Sequence, residues 1–228
     1  MNEGRLFIDP DEVLRYLGLR SAPPDEGTRA LIGECREEMA SLARPRTVYR
    51  ELDVRFEEGG VRLGGSGLLL PGEDIRRHLD GCAACILLAA TLGGGVDRAV
   101  AALQVRQMAK ALVLDCCATA AIEEVCDKLQ RELEETLQAE GRYATTRYSP
   151  GYGDLPITCQ RELTALLDTS RKIGLCATRE NILTPRKSVT AIIGISKRPL
   201  PARRRSCESC GLRQSCNYRR GGRHCGDS

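Results

Sequence analysis

The chain has 228 residues, 42% of them hydrophobic, which suits one full-sized domain with an appendage, or two small domains, and argues against wholesale disorder. With two Phe and no Trp the core must be aliphatic, and a formal net charge of only +3 makes no global case for nucleic acid. No apolar run reaches the roughly 18 residues of a membrane span, and the N-terminus MNEGRLFIDPDEV lacks the basic-then-apolar order of a signal peptide, so a cytoplasmic protein is expected.

Residues 10–18 and 24–43 read as helices, separated by Pro23 and Pro24. Thr47–Phe56 alternates apolar and polar side chains as a strand does, and Gly59-Gly60 turns it into Val61–Leu63. Pro71 is expected at the first turn of a short helix, Glu73–Leu79. Cys85–Leu92, CILLAATL, is almost wholly apolar and reads as a strand buried on both faces. From Val96 to about Ala139 the pattern is helical with few breakers. One straight helix of that length would span about 65 Å, whereas a 200-residue domain is only about 40–45 Å across. Two helices or a strong kink near Arg106–Lys110 are therefore expected. Tyr143–Tyr148 is strand-like, Glu162–Asp168 helical, and Ser188–Ser196, SVTAIIGIS, a second buried strand. The class is α+β, a mostly antiparallel twisted sheet packed with helices, rather than a Rossmann-type order.

After Lys197 the composition changes. Pro199, Pro201 and Arg203–Arg205 lead into a Cys-rich tail, so the expected organisation is a domain over residues 1–200 and a tail over 201–228. The tail holds seven Arg against one Glu and one Asp, and it carries Cys207-x2-Cys210-x5-Cys216-x8-Cys225. A segment this short and polar folds alone only around a metal or cluster. The C-x2-C-x5-C opening is closer to an iron–sulfur module, with zinc the alternative because only one C-x2-C knuckle is present. Free thiols and disulfides are the bland readings, and a reducing compartment disfavours the second. Basic residues around a zinc knuckle also raise a nucleic-acid adaptor, against which the slightly acidic, aromatic-poor main domain argues. Cys82 and Cys85 run into the buried strand and read as core, as do the scattered Cys116, Cys117, Cys126, Cys159 and Cys176.

The segment Arg147–Pro156, RYSPGYGDLP, concentrates features that a core-building stretch avoids. Pro150 and Pro156 remove two backbone donors, and Gly151 and Gly153 open conformations closed to other residues. Arg147 offers a planar fork for a carboxylate, Tyr148 and Tyr152 offer stacking faces, and Asp154 accepts hydrogen bonds from an amine or ribose. The bland reading is a proline-rich connection whose Arg and Tyr cover surface.

The pattern R-x-x-P-G-Y of Arg147, Pro150, Gly151 and Tyr152, followed by Pro156 and later by P-x-x-S-V at Pro185, Ser188 and Val189, resembles the reactivation domain of cobalamin-dependent methionine synthase. The resemblance spans roughly residues 80–200 and implies a site for S-adenosylmethionine. It implies that Arg147 engages the ligand with Tyr152 as its partner, and that Asp115 stands where the family places an acid facing the methionyl amine. The family's continuation, a proline and then a Cys-Pro-Asp run, is replaced by Gly153-Asp154-Leu155-Pro156, which leaves the nucleoside contacts unassigned. No catalytic or folate-binding module accompanies the segment, so the resemblance implies a detached activation subunit. Its partners would be a corrinoid protein, methionine synthase or a related methyltransferase, and an electron donor. A module that senses S-adenosylmethionine without corrinoid chemistry is the alternative. The D-x-H-x-x-G signature of cobalt-ligating modules is not met around Asp74 and His78, so cobalamin is expected on the partner and His78 on a helix surface.

Overall fold

The computed structural model describes residues 6–19 and 24–199. Two aspartates open the first helices. Asp9 accepts from the Asp11 amide at 2.8 Å ahead of α1 (Pro10–Tyr16), and Asp25 accepts from the Thr28 amide at 2.7 Å ahead of α2 (Glu26–Leu42). The chain then runs through β1 (Arg46–Glu57), β2 (Gly60–Leu63), β3 (Leu69–Pro71), α3 (Glu73–His78) and β4 (Ala84–Thr91). Helices α4 (Gly94–Gln104) and α5 (Met108–Ala139) follow, then β5 (Tyr143–Ala144), α6 (Cys159–Leu167), α7 (Thr169–Ile173), the hairpin β6 (Cys176–Ala177) and β7 (Leu183–Thr184), and β8 (Ser188–Ser196).

Six strands form one sheet in the order β3-β2-β1-β4-β8-β5, antiparallel at every pairing. The class is therefore α+β. β4 lies between β1 and β8, with helices over both of its faces. Ile86 and Leu88 meet Leu129, Leu133 and Leu137 of α5, while Cys85, Leu87 and Ala89 meet Leu163 and Leu167 of α6 and Ile173 of α7. That two-sided cover is why its sequence does not alternate. β1 does alternate, with Leu52 buried and Val48 and Val54 half-buried between exposed neighbours.

The long helical stretch breaks at Val105–Gln107, and α5 alone runs for 32 residues, about 48 Å. Its first half is rich in small side chains, among them Ala118, Ala120, Ala121, Cys116 and Cys117. These pack with α1, α2 and α4 in a helical core that contains Val13, Ile32, Met39, Val96 and Val100. Its second half lies on the sheet through the leucines already named. One helix thus joins the helical core to the sheet.

Three local expectations need correction. Pro71 does not open α3; it ends β3, paired with Gly60, and the helix starts two residues later. Only Tyr143 and Ala144 of the strand-like stretch pair regularly with β8, with Tyr148 forming an isolated bridge to Ile192. Cys176 is exposed on the hairpin, whereas Cys82, Cys85, Cys116, Cys117, Cys126 and Cys159 are buried. No helix among the described residues is long and apolar enough to cross a membrane. The tail cysteines Cys207, Cys210, Cys216 and Cys225 lie outside the described residues.

Candidate ligand site

The loop after Arg147 is held in shape by its own backbone. The Tyr152 amide donates to the Ser149 carbonyl at 3.2 Å, the Leu155 amide to the Tyr152 carbonyl at 3.1 Å, and the Gly151 amide to the Leu155 carbonyl at 2.9 Å. These tight turns require positive φ at Gly151 (+91°) and Gly153 (+53°), which glycine adopts at least cost. Leu155 is 1% exposed and plugs the loop into the core beneath the sheet. Pro150 is buried, while Tyr152 stands 67% exposed at the tip. The segment is thus a built loop with one anchored side and one presented side.

Arg147 leaves this loop toward α5. Its Nη1 donates to Gln130 Oε1 at 2.9 Å, and its Nη2 to Asp127 Oδ1 at 2.6 Å and Glu123 Oε2 at 3.3 Å. Its Nε–H has no hydrogen-bond partner among the described residues. Burial of the guanidinium works against its charge, but the hydrogen bond to Asp127 and the surrounding acids outweigh it, and its pKa is raised. Below it the Cys126 thiol is pushed up to about 12 by burial.

Asp115 sits earlier on α5, where its carboxylate holds Lys187 Nζ at 2.9 Å; the same ammonium donates to Thr119 Oγ1 at 2.8 Å. Asp115, Thr119, Glu123, Asp127 and Gln130 recur at steps of three or four and so line one stripe of the helix. Fifteen residues of helix make that stripe about 22 Å long. The structure therefore brings Arg147 and the Pro185–Val189 segment to the same side of α5. Ser188 Oγ donates to the Pro185 carbonyl at 2.7 Å and the Arg186 amide to Asp97 Oδ2 at 2.7 Å, which ties this turn to α4.

Asp154 is placed differently. Its oxygens accept the backbone amides of Glu73 and Asp74 at the start of α3, at 2.6 and 3.1 Å. Tyr148 stacks on His78 with ring centroids 4.9 Å apart and donates its hydroxyl to the Tyr152 carbonyl at 3.1 Å. Burial, aided by Asp74 and Asp154, pushes the Tyr148 hydroxyl up to about 12, so it remains a donor. His78 Nε2 is 3.0 Å from Thr145 Oγ1, so the histidine is a packed, half-buried group that joins α3 to the segment before the loop.

Glu123, Asp127, Gln130 and Lys187 were not singled out from the sequence. The acids of DCCATAAIEEVCDKLQ do carry a signal, since Asp115, Glu123 and Asp127 stand eight and four apart, and so share a helix face. Lys187 carries no such signal, because its partner lies across the fold.

No family model matches the chain, and no curated protein matches it. Among solved structures, the fold is similar to that in the crystal structure of the MetH reactivation domain bound to AdoHcy, with a TM-score of 0.61 at 17% sequence identity. The likeness covers 83% of this chain and 74% of that one. The resemblance read from the two sequence anchors is thus present at the level of the fold.

Proposed function

We propose that this protein binds S-adenosylmethionine on the loop 147–156 and presents its methyl group for the reductive methylation of cob(II)alamin carried by a partner corrinoid protein. The observation that carries this reading is the placement of Arg147 and of the Pro185–Val189 turn against the same α5 stripe, in a fold shared with a reactivation domain that was crystallised with AdoHcy. AdoHcy is S-adenosylmethionine without its methyl group.

The donor set suits an amino-acid end. A guanidinium with a free Nε–H takes a carboxylate, and Glu123, 45% exposed, can take an ammonium. Asp127 holds the fork in orientation. Asp115 already has an ammonium in Lys187, so that pair orders the turn before β8. Pro150, Gly151 and Tyr152 supply the wall and the stacking face. The corrinoid on the partner supplies a nucleophilic cobalt once an electron donor has reduced it, so this chain needs no general base. Its contribution is position and electrostatics.

The test is an anaerobic assay of purified protein, candidate corrinoid partner, reductant and S-adenosylmethionine. Conversion of the cob(II)alamin spectrum to that of methylcobalamin, dependent on this protein, is the expected result. Tight S-adenosylmethionine binding with no conversion by any corrinoid partner would favour a sensing module instead.

A further inference from the structure

Asp154 stands in the loop 147–156, yet both its carboxylate oxygens are engaged by another part of the chain. Helix α3 has no side-chain cap of its own, because its N-cap residue is Gly72. Asp154, 81 residues away from Glu73, supplies the missing acceptors, at 2.6 Å to the Glu73 amide and 3.1 Å to the Asp74 amide.

Two glycines make this contact possible, one on each side. A Cβ on Gly72, whose φ is +120°, would lie 2.4 Å from Asp154 Oδ1. A Cβ on Gly153, whose φ is +53°, would lie 2.4 Å from both Asp74 Oδ2 and the Tyr148 hydroxyl. Each aspartate therefore rests against the glycine that precedes the other. Tyr148 closes the assembly by stacking on His78 of α3 while donating to the Tyr152 carbonyl, and it is the chain neighbour of Arg147.

We infer that Asp154 is a positioning residue, which clamps the loop 148–156 to the start of α3 and so sets the poise of Tyr152 and Arg147 without touching the ligand. The inference rests on the reading of this loop as the S-adenosylmethionine loop. Gly72 belongs to the same device although it lies outside that loop.

The test compares Asp154→Ala, Asp154→Asn, Gly72→Ala and the double variant Gly72→Ala/Asp154→Ala in the full chain. Hydrogen exchange of the 148–157 amides is measured without ligand, and S-adenosylmethionine affinity by calorimetry. Loss of a charge-assisted cap predicts exchange about tenfold faster in Asp154→Ala and in Gly72→Ala, and affinity weaker by a similar factor. The double variant should be no worse than the weaker single variant, and Asp154→Asn, which retains one acceptor, should recover part of both losses. Loss of affinity in Asp154→Ala with wild-type affinity in Gly72→Ala would place Asp154 on the ligand and overturn the inference. Unchanged exchange in both variants would also overturn it. If the wild-type protein binds no S-adenosylmethionine, the ligand reading fails, while the exchange rates still decide the clamp. Asp154→Asn serves as the milder probe should Gly72→Ala fail to fold.

Discussion

Replacing Arg147 by Met separates a ligand-binding arginine from a structural one. The guanidinium side chain is only 17% exposed, yet its acidic partners Glu123 and Asp127 are 45% and 48% exposed. Breaking a fully buried ion pair costs about 3–5 kcal/mol, because it strands a charge away from water. Here water reaches both carboxylates once the arginine has gone, so the expected loss of stability is about 1–2 kcal/mol, nearer the value of a hydrogen bond to a charged group. Ligand binding should suffer more. Losing the charged Nε–H that holds a carboxylate removes about 1.5–3 kcal/mol, which weakens S-adenosylmethionine binding by about 10- to 150-fold. Arg147→Lys keeps the charge without the planar fork and should fall between Met and the wild type. Urea unfolding reads the first quantity and calorimetry the second. Unchanged affinity, or a stability loss of about 4 kcal/mol or more, would refute the reasoning and make Arg147 a core ion-pair residue.

Alkaline pH and the tail supply two further outcomes. Burial pushes the Cys85, Cys117 and Cys126 thiols and, with two nearby aspartates, the Tyr148 hydroxyl up to about 12, above ordinary values of 9.0 for the thiols and 10.0 for the phenol. In that window the folded chain retains protons that the unfolded chain releases, so stability is full below about pH 9 and drains as pH rises toward 12. The urea midpoint should therefore fall steadily above about pH 9, and a midpoint unchanged up to about pH 11 would contradict this account. For Cys207, Cys210, Cys216 and Cys225, anaerobic purification should give a brown protein whose visible absorbance is lost on Cys210→Ala. Stoichiometric zinc in a colourless preparation would reject a cluster, and the absence of any metal would reject both.

Where the cause of a structure is local, the sequence shows it. The apolar run of β4 reports helices over both faces, and the impossibly long helix between 96 and 139 reports a break, which the structure places at Val105–Gln107. The turn-forming character of the loop follows from Gly151 and Gly153 for the same reason. Contacts between distant segments leave no such trace. Nothing near Asp154 signals that it caps a helix 80 residues earlier, and nothing near Lys187 signals Asp115. A proline that ends a strand and one that opens a helix look alike in sequence, and at Pro71 only the pairing with Gly60 separates them. The exposure of Cys176 likewise depends on a hairpin whose two-residue strands are too short to show a pattern.

The adjacency of β4 and β8 bears on how the protein is made. Thr91 and its sheet partner Ser188 are 97 residues apart, so during synthesis β4 leaves the ribosome long before the strand that covers its second edge. β1 is already available, but one edge of an almost wholly apolar strand stays open through the translation of α4, α5, α6 and α7. Tyr148 is tied to Ile192, and the Pro185 turn leads directly into β8, so the seat of the loop 147–156 is also built last. A chain that stops before residue 188 therefore lacks the strand that seats the loop 147–156, and it offers chaperones and proteases a sticky edge in its place.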